Sequence, residues 1–163
     1  MKSLLIVWHS RTGAARRMAE AAAEAAHAEP QVATRRLAAA DTEPADLIAA
    51  DGYLFAGPEN LAALSGAMKE MFDRCYYPCL GRLNGRPYAA LVAAGSDGEG
   101  AARQLARIAT GWRLKAIAEP LIVCTHAQTP EAILAQKRLD DAALSACAEL
   151  GAAMAAGLAM GVF

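Results

Sequence analysis

A short polar loop near the N-terminus carries the side chains best suited to bind a ligand. Ser10 and Thr12 supply hydroxyl groups, Arg11 supplies a guanidinium, and Gly13 frees the backbone beside them. The apolar run 4–7 before the loop predicts a buried strand, and the alanine-rich sequence after it predicts a helix. Free amides at a helix N-terminus attract anions. The loop therefore predicts a phosphate site, although an ordinary capped strand–turn–helix can have the same residues.

Two further polar loops follow apolar segments in the same way. Residues 53–56 (YLFA) and 88–94 (YAALVAA) predict buried strands. We expect the first strand to end at Pro58, because proline cannot continue a central ladder, and the polar loop 57–64 to follow it. The second strand leads into the glycine-rich loop 95–100. Loops at the carboxyl ends of neighbouring parallel strands converge where open α/β sheets bind ligands, which strengthens the prediction of a phosphate-bearing ligand.

The elements that position these loops alternate between strands and helices. Partly alternating residues 31–37 predict an edge strand, and residues 119–124 predict the last strand. Helices are predicted between the strands and after the last one, with Ser65 as one N-cap and Thr129-Pro130 opening another. The pattern predicts a three-layer, doubly wound α/β fold with a five-stranded parallel sheet of order 2-1-3-4-5. We expect residues 1–163 to form a single domain.

Composition and charge exclude several classes of protein. The 16 basic and 17 acidic residues nearly cancel, so no field suited to nucleic acid is expected. We find no apolar run approaching the length of a bilayer span and no signal-peptide pattern, so we expect a cytoplasmic protein without a membrane span. The four cysteines form no CxxC pair, which argues against a zinc site or a disulfide framework.

The remaining reactive residues suggest no hydrolytic chemistry. Cys75 lies on the apolar face predicted for the third helix, so packing is the expected role for it and for Cys79. His9 and His126 end predicted strands on the ligand side, where either could donate to a phosphate or substrate or serve only as a turn residue. No serine–histidine or histidine–carboxylate arrangement can be placed from the sequence.

Three stretches together resemble the flavodoxin-like family of FMN-binding proteins, especially its NAD(P)H-dependent FMN reductase branch. SRTGAA at 10–15 resembles the family's phosphate loop, and GPENLAALSGAMKEMFDR at 57–74 resembles its most specific motif. AAGSDGEGA at 93–101 resembles its third flavin loop. The resemblance implies FMN as cofactor, with these phosphate-binding residues: Ser10, Arg11, Thr12, Gly13, Ala14 and Ala15. It implies these neighbours of the flavin ring: Pro58, Glu59, Asn60 and Leu61 on one side, Gly95, Ser96, Asp97 and Gly98 on the other.

Two departures from the family pattern bear on function. Ala15 replaces the last hydroxyl of the phosphate loop, and Arg11 could offset that loss by its charge. Neither ring loop contains tryptophan or tyrosine, which leaves a ring face open for a nicotinamide or substrate. The interpretation is an FMN-dependent oxidoreductase that passes electrons from NADH or NADPH to a small acceptor such as a quinone or flavin, with the flavin itself supplying the chemistry.

Two alternatives of the same fold stay open, a flavodoxin-type electron carrier and a flavin-free structural domain. A receiver-type signalling domain would need acidic residues where His9-Ser10 and Gly57-Pro58 stand. The aromatic pair Tyr76-Tyr77, which we expect beside the flavin loops, predicts a homodimer or a homotetramer built as a dimer of dimers.

Overall fold

A computed structural model describes residues 1–163 as a layered α/β structure. The strands are β1 Lys2–Trp8, β2 Val32–Ala38, β3 Gly52–Asn60, β4 Ala63–Leu64, β5 Pro87–Ala94, β6 Lys115–Ala116 and β7 Leu121–Cys124. The α-helices are α1 Ala14–Ala26, α2 Pro44–Ala49, α3 Gly66–Cys79, α4 Glu99–Gly111, α5 Pro130–Leu134 and α6 Asp141–Met160.

The sheet confirms the predicted flavodoxin-like fold, with two differences in its strands. Its order is β2-β1-β3-β5. The short strands β6 and β7 both pair with the far edge of β5, β6 with its start and β7 with its end. These strands are all parallel, and only β4 runs antiparallel, against β3. The predicted fifth strand is thus two short pieces, because the chain leaves β5 between residues 117 and 120 before returning to it.

The third strand is longer than the sequence indicated. We expected it to end at Pro58, but β3 continues to Asn60, with Pro58 paired to Ala93 of β5. The neighbour on the other side, β1, has already ended opposite Ala56, and the Pro58 carbonyl accepts from the Ser65 amide at 3.1 Å. A proline beyond the end of β1 removes no hydrogen bond from that ladder, which is why it is tolerated.

The sheet separates two apolar clusters because alternate side chains of its strands point to opposite faces. Leu5 and Val7 of β1 join 20 other buried residues beneath α3 and α4. Leu4 and Ile6 belong to the second cluster of 20, beneath α1 and α6. The strands that carry the predicted loops are therefore held from both sides.

The last helix, α6, corrects the expectation that no segment is long and apolar enough to span a bilayer. It has 20 residues, and its most apolar 18-residue window has a mean hydropathy of 1.5, which meets that requirement by length and composition alone. In this structure α6 packs on α1, with Cys147, Met154 and Leu158 in the shared core. The contact is close, because a Cβ placed on Gly151 would overlap the backbone of Ala22.

The aromatic pair lies at the opposite end of the fold from the position we expected. The helix α3 follows β3 and therefore begins at the carboxyl edge of the sheet. The 14 residues of α3 then run about 20 Å back toward the amino edge. Tyr76 packs near Trp112, at the end of α4, and Tyr77 is 79% exposed. Tyr76 and Tyr77 therefore do not lie beside the flavin-type loops.

We expect Gly151→Ala to lower the free energy of unfolding by about 1–3 kcal/mol, since the added methyl must force α6 away from α1. Urea unfolding measures this change. Gly111→Ala is the matched control, because its Cβ would meet nothing within 4 Å and should leave stability unchanged or slightly higher. Equal stability of the two variants would contradict the close approach of the helices.

Candidate functional site

An open cleft of about 770 Å³ lies at the carboxyl edge of the sheet. Four segments contribute its lining: Ser10, Arg11, Thr12, Ala14 and Ala15; Pro58, Glu59, Asn60 and Leu61; Ala93, Ala94 and Gly95; and Thr125, Ala127, Ile133, Leu134 and Lys137. The structure thus brings parts of all three predicted loops together and adds a fourth wall that the sequence did not indicate.

The loop between β1 and α1 forms the first wall. Gly13 has a φ of 101°, which glycine adopts without strain, and its amide donates to Ser10 Oγ at 3.0 Å. The helix then begins at Ala14, and the amides of Ala14 and Ala15 donate to no protein group although both residues are buried. Unpartnered donors at a helix N-terminus, beside the Thr12 hydroxyl, fit a phosphate ester.

A tight hairpin at the end of β3 forms the second wall. Leu61 and Ala62 join β3 to β4, and both have positive φ, 51° and 63°, which residues other than glycine rarely adopt. Leu61 is fully exposed at the tip of this turn while lining the cleft. The predicted polar loop 57–64 is therefore a paired hairpin that presents an aliphatic side chain.

Glu59 uses its carboxylate to hold two walls together. One oxygen accepts from the Gly98 amide and the other from the Ala101 amide, each at 3.0 Å. Both amides belong to the start of α4, where a negative charge is favoured by the helix dipole. Gln104 of the same helix accepts from the Leu64 amide at 2.7 Å. Glu59 thus fixes the hairpin on α4 and does not leave its charge free for a ligand.

The third predicted loop contributes less than its sequence suggested. Of the residues 95–98, only Gly95 lines the cleft. Ser96 and Asp97 are exposed, and Gly98 is buried at the N-cap of α4 with a φ of 88°. A Cβ on Gly98 would overlap the Ile122 side chain, so this glycine serves the packing of α4 against β7.

A histidine–serine pair joins the first two walls and was missed at the sequence level. His9 Nδ1 lies 2.9 Å from Ser65 Oγ, and Ser65 is 1% exposed at the N-cap of α3. Burial, followed by the charge of Arg11, lowers the pKa of His9 below its usual 6.5. The two residues are 56 positions apart, so only the three-dimensional fold shows their contact.

The segment after β7 forms the fourth wall. His126 donates its amide to the Gly95 carbonyl at 2.8 Å, and Lys137 donates its amide to the Thr12 carbonyl at 2.7 Å. Between these ties, the short helix α5 exposes Ile133 and Leu134 along the cleft. The apolar residues of this segment recur with no helical or strand period, so its sequence offered no reason to assign it to the site.

The chain matches one protein family by sequence and shares one fold with solved structures. Residues 1–129 match the sequence model of a family described as NADPH-dependent FMN reductase. A flavodoxin of Aquifex aeolicus (strain VF5) is 29% identical over 100 residues, which cover 61% of this chain and 54% of that protein. The chain therefore spans about half the length of that relative.

Solved structures with the same fold include flavodoxins and larger proteins that contain a similar unit. An archaeal flavodoxin has a TM-score of 0.77 at 17% identity, covering 96% of this chain and 98% of its own. A flavodoxin described as WrbA-like, from Agrobacterium tumefaciens, has a TM-score of 0.70 at 22% identity, covering 98% and 99%. The flavodiiron protein of Giardia intestinalis has a TM-score of 0.78 at 16% identity, covering 99% of this chain and 37% of its own.

The lowered pKa of His9 predicts a pH dependence of stability. The folded protein disfavours protonated His9, so unfolding takes up a proton as the pH falls below about 6.5, and stability decreases on acidification. We expect His9→Gln to reduce the slope of the unfolding free energy between pH 7.5 and 5.5, measured by urea unfolding. His126→Gln, which removes an exposed imidazole at the same edge, is the control. An unchanged slope in the His9 variant would count against the buried pair.

Proposed function

Because the chain belongs to the NADPH-dependent FMN reductase family, we propose that it takes electrons from NADH or NADPH onto FMN in the cleft and passes them to a small acceptor such as a quinone or a free flavin. The family match supports an FMN-binding flavoprotein oxidoreductase, and the structural neighbours share its flavodoxin-like fold.

Four elements of the cleft would hold the cofactor. Ser10, Thr12 and the amides at the start of α1 would bind its phosphate, since they are polar groups at one end of the cleft. The hairpin from Pro58 to Leu61 and the Gly95 backbone would flank its ring. When bound, FMN supplies hydride acceptance and electron transfer, and the protein supplies position and electrostatics.

The observation that carries the proposal is the absence of any aromatic side chain from the cleft lining. Every Trp, Tyr and Phe of the chain has another place. Tyr53, Phe55, Phe72, Tyr88 and Trp112 are buried in one core cluster, and Tyr76 packs against it. Trp8 and Phe163 pack on the other cluster, and Tyr77 is at the far end of α3.

An uncovered ring face is what direct hydride transfer requires. The nicotinamide must stack about 3–3.5 Å from the flavin, and an aromatic lid would occupy that space. The exposed hydrophobic side chains that line the cleft are aliphatic, namely Leu61, Ile133 and Leu134. This arrangement supports a two-electron reductase over a carrier whose ring is shielded.

A flavodoxin-type carrier is the second candidate, because the curated relative and several structural neighbours are flavodoxins. The net charge of −1 gives this chain no strong field for docking a basic redox partner. We further propose a cytoplasmic location, in keeping with four free cysteines, and a homodimer or homotetramer.

Anaerobic stopped-flow mixing of the FMN-loaded protein with NADH and with NADPH tests the reductase directly. We expect loss of flavin absorbance at a rate that saturates with at least one nucleotide. Tight FMN binding with no reaction toward either nucleotide would instead favour the carrier, and no FMN binding would favour a flavin-free domain. Leu61→Tyr should slow the reaction by roughly tenfold by covering the ring, whereas Leu80→Tyr, an exposed leucine beyond α3, should not.

The phosphate end of the cleft is tested by Thr12→Val, which removes the hydroxyl and keeps the shape. We expect FMN binding to weaken by about 1.5–3 kcal/mol, the range for a hydrogen bond to a charged group, with riboflavin binding unchanged. Fluorescence titration with both flavins measures this difference. Thr110→Val, on the exposed side of α4, is the control. Wild-type protein that binds riboflavin as tightly as FMN would contradict the phosphate assignment.

A further inference from the structure

The segment that follows α5 lies directly on the phosphate loop. The Lys137 amide donates to the Thr12 carbonyl at 2.7 Å. The neighbouring Gln136 places its side-chain amide against Gly13, so closely that any Cβ at Gly13 would overlap it. Both residues lie beyond the portion 1–129 that matches the family. The family match therefore does not cover the two residues that contact the phosphate loop from this side.

Lys137 also carries a positive charge that no carboxylate neutralises. Its ammonium donates to the carbonyls of Ala132, Ile133 and Ala135, at 2.7 Å each, so its own turn holds it in position. No carboxylate lies within 4.0 Å of it, and Lys137 lines the cleft while only partly exposed. A lysine acts on a phosphate as a point charge, and its attraction does not require the ammonium to leave these carbonyls.

The phosphate loop has a deficit that such a charge would offset. Ala15 offers no hydroxyl where the family pattern usually has one, while a phosphate monoester carries a charge of about −1.5 to −2 at neutral pH. Arg11 is exposed and has no hydrogen-bond or ion-pair partner, so its side chain is less fixed than that of Lys137.

We propose that Lys137, positioned together with Gln136 on the phosphate loop, adds a positive charge to the phosphate subsite and makes the protein discriminate FMN from riboflavin. The proposal rests on FMN being the cofactor of the proposed function and adds residues that select its phosphate. Lys137 acts electrostatically, and Gln136, whose side-chain amide packs against Gly13, helps to position the segment on the phosphate loop.

Titration of Lys137→Met with FMN and with riboflavin tests the charge, because methionine keeps most of the aliphatic stem. We expect the Kd for FMN to rise roughly five- to twentyfold, with the Kd for riboflavin within about twofold of wild type. The FMN effect should shrink as salt is raised, since screening weakens a charge at a partly exposed site. Lys137→Arg should retain most of the FMN affinity.

Arg138→Met is the matched control, because it removes the adjacent, exposed cation outside the cleft lining. Unchanged FMN affinity in Lys137→Met, or an equal loss for FMN and riboflavin, would overturn the proposal and leave the FMN-dependent function standing. Wild-type protein that binds no FMN would overturn both. If Lys137→Met fails to fold, Gln136→Leu replaces it, with a threefold or greater loss specific to FMN expected and no such loss overturning the proposal.

Discussion

The whole arrangement depends on the parallel pairing of β3 between β1 and β5. Ala56 of β3 lies opposite Trp8 on one side and Leu91 on the other, so three strands end close to one another at the same edge. Neighbouring strands are only about 4.8 Å apart, and the loops that follow them must therefore share one small region. A buried parallel sheet needs helices on both faces, and the helices that start at that same edge present there amides that have no partner within the helix. A cleft for an anionic, elongated cofactor follows from this geometry.

Contacts between distant segments then fix the walls of the cleft relative to one another. His9 and Ser65 join the first wall to the second, and the Glu59 carboxylate joins the second to the start of α4. The backbone hydrogen bond from Lys137 to Thr12 joins the fourth wall to the first. Each of these contacts pairs polar groups that are partly or fully removed from water. The walls are therefore held by the protein itself, and a ligand entering the cleft has less ordering to impose.

The local parts of this arrangement could be predicted from sequence. Apolar runs show which strands are central in the sheet, and a glycine after the first run marks the loop around Gly13. Both signals are contained in a few neighbouring residues. The continuation of β3 through Pro58 could not be predicted, because it depends on where β1 ends. The turn at Leu61 contains no glycine, so its left-handed backbone leaves no sequence signal. The contact of Lys137 with Thr12 spans 125 residues and depends on how the chain returns after β7.

The two edges of the sheet have a further consequence, for how copies of the protein can associate. β2 forms one edge and presents Arg35 and Arg36, while the opposite edge is broken into the two short strands β6 and β7. Charged side chains and interrupted strands both discourage another strand from adding to an edge. Continuous sheets between molecules, and the fibrous aggregation that starts from them, are thereby disfavoured. Self-association is left to the helical faces, where contacts can close symmetrically without propagating.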